Sequence, residues 1–144
     1  MRTGTKLLAL LLTLSMALSL TVTAAAAEED GVTILYTNDV HTYIDQDLTY
    51  ATVAAYKESL EDVLLVDAGD HIQGTAYGGM DQGATIIELM NAAGYDLATL
   101  GNHEFDYGME GAMAAIERAD FPYVSCNFYH EENGVAGENV LDSY

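Results

Sequence analysis

Three short polar motifs, TNDVH at 37–41, GDHIQG at 69–74 and GNHEFD at 101–106, each come just after an apolar run. The runs, VTILY at 32–36, VLLV at 63–66 and YDLATL at 95–100, have the length of buried strands. Helical spacing fills the intervals, in TYATVAAYKESLED at 49–62 and again from about Gln82 to Ala93. In the second of these Ile86, Ile87, Leu89 and Met90 are apolar and Gly94 is placed as the stop. A β-α-β-α-β order predicts an α/β fold with a parallel sheet. Ligands of such sheets bind outside the carboxyl ends of the strands. Asp39, His41, Asp70, Asn102 and His103 are therefore predicted to converge on one crevice. Carboxylate, imidazole and amide oxygen together form the donor mixture of a hard-to-borderline divalent metal site.

Farther along, GMEGAMAAIERA at 108–119 predicts a third helix with Ala112, Met113 and Ile116 facing inward, and a fourth strand is predicted over 121–126. Polar, Gly-containing sequence then runs to Tyr144 with no terminal element predicted, so the half-sheet reads as an unfinished domain. The single Cys126 allows no intrachain disulfide and, within FPYVSCNF, is predicted to be a small buried residue.

The first 27 residues read as an address. Arg2 and Lys6 supply a positive start, LLALLLTLSMALSLTV an apolar stretch, and TAAAA the small residues of a cleavage site. A secretory signal over 1–27 is predicted, in preference to a retained membrane anchor over Leu7–Ala27, because the alanine-rich end favours cleavage. The mature part, 28–144, is expected to be secreted, periplasmic or at the cell surface. It holds all 23 acidic residues against only Lys57 and Arg118, a net charge of −21. Such a surface repels nucleic acid and anionic membranes, which excludes both as electrostatic partners.

Each candidate site residue has a bland alternative. Asp39 and His41 are two apart just beyond a strand, and strand alternation would aim both at one ion; taken alone, a turn Asp and a surface His account for them as well. Gly69 permits a sharp turn that delivers Asp70 into the crevice. Asp67 is expected to hold that loop by hydrogen bonds, while His71 and His130 are expected to be surface histidines. GNHEFDYG is more specific. Asn102 offers an amide oxygen, His103 an imidazole, and Asp106, three residues on, is placed to hydrogen-bond the His103 ring and fix its tautomer.

Taken together, these motifs resemble the calcineurin-like metallophosphoesterases, most closely the secreted bacterial 5'-nucleotidase family. That family shows T-N-D-x-H, G-D-x-x-Q-G and G-Y-D-x-x-x-x-G-N-H-E-F-D-Y-G, the last matched here by GYDLATLGNHEFDYG at 94–108. The resemblance covers about 31–128. It implies the incomplete amino-terminal half of a β-sandwich flanked by helices, with residues 28–144 lacking a carboxy-terminal domain in cis. It further implies two divalent ions (Zn, Mn, Mg or Ca): Asp39 and His41 on the first, Asp70 bridging both, Asn102 on the second. His103, paired with Asp106, would be catalytic rather than a ligand. Two departures stand out. Thr42 replaces the usual Gly after the first His, so the loop should approach phosphate differently. The further His ligands and later G-H-x-H segment of the family are not found within these 144 residues.

The implied chemistry is hydrolysis of nucleotide phosphate monoesters or other small phosphate esters by a bridging hydroxide that two metals activate, with His103 assisting departure of the ester oxygen. A 2',3'-cyclic-nucleotide phosphodiesterase/3'-nucleotidase is the alternative within the same chemistry, and a non-catalytic acidic metal-binding surface module the alternative outside it. By this reading the segment alone is inactive.

Overall fold

The computed structural model describes residues 31–141. The secretory signal expected over 1–27 lies outside them. Among the described residues no helix is long and apolar enough to cross a membrane.

Strand β1 (Thr33–Thr37), helix α1 (Tyr50–Glu58), β2 (Val63–Asp67), helices α2 (Ala76–Asp81) and α3 (Ala84–Ala93), and β3 (Leu97–Ala98) follow in order. The strands form a parallel sheet in the order β1-β2-β3, with Thr33 opposite Val63 and Thr37 opposite Asp67. Beyond β3 come a short 3-10 turn (His103–Phe105) and α4 (Gly108–Arg118). The α/β class and parallel order expected from the strand–helix alternation are thus present.

Pleat alternation explains how the sheet is covered. Leu65 is fully buried and Leu35 half-buried on the helix side, whereas Ile34, Tyr36 and Leu64 are exposed on the other. The core joins Leu65 to Ile72, Ile86, Ile87 and Met90, and includes Tyr95, Phe121 and Tyr123 packed ring against ring. Helix α1 starts where the Thr49 hydroxyl accepts from Thr52 N–H (3.2 Å). Helix α3 ends at Gly94, in the left-handed conformation, as its placement after the last apolar residue predicts.

Four expectations need correction. The strand over 95–100 shrinks to Leu97–Ala98, because the Asp96 side chain turns back to accept from Leu65 N–H (2.8 Å) and Lys57 Nζ (2.7 Å). The fourth strand over 121–126 is a single parallel bridge between Ala98 and Tyr123. Cys126 therefore lies past the sheet and is exposed, not buried. The polar tail does contain regular structure: β4 (Tyr129–Glu132) and β5 (Val135–Asn139) pair antiparallel around Asn133-Gly134, both at positive φ, in the sequence that two-residue hairpin turns prefer. Helix α2 was also unforeseen, since two glycines in six residues dilute any helical signal; the Thr75 hydroxyl caps it.

Candidate metal centre

The loops at the carboxyl ends of β1 and β2 and the segment after β3 meet at one edge of the sheet. Asp39, His41, Thr42 and Asp70 all have φ between 48° and 61°. Side chains rarely adopt that left-handed region, and where several non-glycine residues hold it together the surroundings enforce it, a pattern typical of functional sites. The enforcement is visible in the backbone. Asp39 N–H donates to Gly69 C=O (3.1 Å) and His41 N–H to Asp70 C=O (3.0 Å), lacing the first loop to the second. Asp39 and His41 thus do not share a strand face, as alternation suggested; both lie beyond β1 and reach the cleft through left-handed turns.

The second loop meets the third even more closely. Gly69 (φ +100°) packs against Gly101 so tightly that a Cβ on Gly69 would lie 2.3 Å from the Gly101 nitrogen, and one on Gly101 would lie 2.2 Å from Asp70 Oδ1. Asp70 Oδ1 accepts from His103 N–H at 2.7 Å, which fixes the carboxylate against the start of the 3-10 turn.

His41, Asp70 and His103 each offer a ligand atom, and these atoms lie within 4.8 Å of one another. The two imidazole rings stand nearly perpendicular, 4.8 Å between centroids. His41 Nδ1 lies 3.1 Å from Gln73 C=O, which receives its proton and leaves Nε2 as the donor nitrogen. His103 Nδ1 lies 2.8 Å from Asp106 Oδ2. That hydrogen bond, with lesser help from the charges of Asp70 and Glu104, raises the His103 pKa above its ordinary value. Both rings are thus oriented through one nitrogen while the other remains for chemistry, the usual support for imidazole at a metal. The His41 imidazole and the Asp70 carboxylate, with the Asp39 carboxylate beside the His41 ring, are the donor types of a borderline divalent ion, so the residues present fit a metal.

The structure places the other candidates unevenly. Asp39 is half-exposed with Oδ1 3.5 Å from His41 Nε2, at the rim of the cluster rather than within it. Asn102 precedes His103 and is exposed. His103, expected as a proton donor rather than a ligand, presents a ring nitrogen to the same point as His41 and Asp70. His130 is exposed, as expected.

His71 is a correction. It is completely buried, with Nδ1 2.7 Å from Asp67 Oδ1 and Nε2 2.7 Å from the Tyr123 hydroxyl. Asp67 does hold its loop, accepting from Gly69 N–H (2.8 Å), and it also accepts from the Thr37 hydroxyl, which pairs with Tyr95. Burial pushes the Tyr95 pKa up to about 12 and raises that of Tyr123, so both phenols stay protonated as hydrogen-bonding partners. Two further residues belong to this floor, Thr42, which the sequence marked only as a departure from the family pattern, and Glu104, which it did not mark. Thr42 is buried and its hydroxyl accepts from Thr75 N–H (2.7 Å). Glu104 is buried beneath the cleft, and the only local hint of it was an acidic residue between His103 and Phe105.

The family model described as calcineurin-like phosphoesterase matches residues 32–143, nearly the whole described chain. The chain belongs to the calcineurin-like phosphoesterase family. Among similar proteins, the snake venom 5'-nucleotidase of Gloydius brevicauda is 37% identical over 120 residues, which cover 71% of this chain and 20% of that protein. The 5'-nucleotidase of Homo sapiens is 36% identical over 115 residues, 67% of this chain and 20% of that one. Of solved structures, a 5'-nucleotidase precursor from Thermus thermophilus superposes with a TM-score of 0.62 at 30% identity, covering 67% of this chain and 22% of its own. The NAD nucleotidase of Haemophilus influenzae gives 0.62 at 28% identity, covering 72% and 22%. The chain spans about a fifth of the length of these relatives.

Proposed function

We propose that this chain is the amino-terminal part of an exported, two-metal phosphoesterase that hydrolyses nucleotide 5'-phosphomonoesters. The observation that carries the reading is the convergence of His41, Asp70 and His103 within 4.8 Å at the carboxyl edge of a parallel sheet. The named relatives support the substrate class, and the fifth of their length that is covered supports a catalytic domain completed by later sequence. The signal-like first 27 residues support export.

In this reading His41 and Asp70, with Asp39 and Asn102 from the flanking loops, hold two divalent ions. Bound there, the ions supply Lewis acidity toward the phosphoryl group and offset the charge of a strongly acidic protein facing an anionic substrate. His103 serves the leaving oxygen. Asp106 holds its Nδ1–H, which orients the ring and lets its carboxylate offset the imidazolium charge when the ring donates to the oxygen that becomes negative.

Hydrolysis of AMP by the full-length protein, with and without chelator, tests the reading. Phosphate release that chelation abolishes and added divalent ion restores is expected. Release from 2',3'-cyclic AMP with none from AMP would move the assignment to a cyclic phosphodiesterase, and metal binding without turnover of either would make the chain an acidic metal-binding module.

A further inference from the structure

We infer that Glu104 is the positioning residue of the cleft: its buried carboxylate clamps the Asp70 loop to the His103 loop and thereby sets where the Asp70 ligand atom stands. The inference rests on the metal-binding reading proposed above. Glu104 is completely buried. Its Oε2 accepts from Asp70 N–H (2.8 Å) and Gly101 N–H (2.6 Å), and its Oε1 accepts from His71 N–H (2.9 Å) and, more loosely, Ile72 N–H (3.5 Å). Asp70 answers in the opposite direction by accepting from His103 N–H (2.7 Å). Each loop thus holds the backbone of the other through a carboxylate, and both bonds pass through residues of the metal cluster.

A buried carboxylate is costly unless its charge is met. The two cationic side chains among the described residues are engaged elsewhere, Lys57 with Asp96 and Arg118 with Glu88. The charge of Glu104 is met instead by the backbone N–H groups of Asp70, His71 and Gly101. Charge-assisted hydrogen bonds of this sort are short and directional. Their geometry explains why glutamate and not glutamine stands here. Both oxygens are faced by N–H donors, so an amide in either orientation would point its own N–H₂ at a pair of them.

Glu104→Gln in the full-length protein is therefore a nearly isosteric test. Calorimetric titration of metal-free protein with Mn²⁺, at a temperature where circular dichroism shows both proteins folded, should give a Kd weakened about 10- to 100-fold, the usual consequence of losing a group that orients a metal ligand. Tyr123→Phe serves as the structural comparison. It removes the His71 partner from the same buried network without touching the N–H groups around Glu104, and should lower the unfolding temperature while leaving the Mn²⁺ Kd within about threefold. Unchanged Mn²⁺ binding in Glu104→Gln overturns the inference, and so does an equal loss in Tyr123→Phe, which would mark a general loosening. A wild-type protein that binds no Mn²⁺ would instead defeat the metal reading on which the inference rests. Should Glu104→Gln not fold, amide exchange in the metal-free wild type decides: Asp70, His71 and Gly101 should be protected, and rapid exchange at these amides overturns the clamp.

Discussion

Replacing Gly69 with alanine should damage the site by moving it, and the structure sets the size of the effect. The added Cβ would lie 2.3 Å from the Gly101 nitrogen, 2.8 Å from its Cα and 2.9 Å from the Leu100 carbonyl carbon, all main-chain atoms that have no rotamer by which to yield. Ordinary contact begins near 3.4 Å, so the two loops must part by about 1 Å. The φ of +100° adds a conformational penalty of about 1–2 kcal/mol, and the overpacking about 1–3 kcal/mol. The total, about 2–5 kcal/mol, is a large part of ordinary domain stability but leaves a folded protein possible. Because Asp70 is the next residue and His103 stands just past Gly101, the same 1 Å separates the metal-facing groups, and a displacement of that size costs turnover on the order of a hundredfold. Gly79→Ala is the control, since nothing lies within 4 Å of a Cβ there and the site is an exposed position in α2. It should be neutral or stabilising by roughly 0.5–1 kcal/mol. Thermal unfolding and AMP turnover of both full-length variants provide the comparison. Wild-type stability and turnover in Gly69→Ala would refute the close loop contact, and equal damage in Gly79→Ala would refute the contrast between them.

Other perturbations probe separate parts of the account. In metal-free protein the His103 ring should titrate above the ordinary value of 6.5 by NMR, and Asp106→Asn should bring the midpoint down; since the folded pKa is raised, the stabilisation is complete below the ordinary value and fades as pH rises through the folded one. A midpoint indifferent to Asp106→Asn contradicts the pairing. Thr42→Val removes the acceptor of the part-buried Thr75 N–H, and should cost about 1 kcal/mol, read as faster amide exchange through α2; unchanged exchange contradicts it. Amino-terminal sequencing of exported material should begin near Glu28, whereas an intact Met1 in a membrane fraction would mean a retained anchor.

What the sequence disclosed and what it withheld follow a physical division. The apolar runs at 32–36 and 63–66 declared β1 and β2 because burying one face of a strand demands local apolar residues. Gly94 announced the end of α3 for an equally local reason. His71 and Glu104 were silent because Tyr123, which holds the one, and the Asp70 and His71 backbones, which hold the other, come from distant segments, and no spacing rule marks a carboxylate whose acceptors are filled by N–H groups. The left-handed backbone at Asp39, His41 and Asp70 was equally hidden, since it is imposed by the lacing of one loop to another and not by residue type. The hairpin at 129–139 did carry a signal in Asn133-Gly134, but its strands are exposed throughout and offer no apolar alternation to draw notice.

The central claim, that the cleft holds metal through Asp70 and works through His103, is tested most directly by elemental analysis paired with kcat on Asp70→Asn and His103→Asn of the full-length protein. The account predicts that Asp70→Asn loses bound metal and turnover together, whereas His103→Asn keeps its metal and loses turnover. Loss of metal from His103→Asn would make that ring a ligand, and wild-type metal content and turnover in both variants would contradict the cleft as the working site.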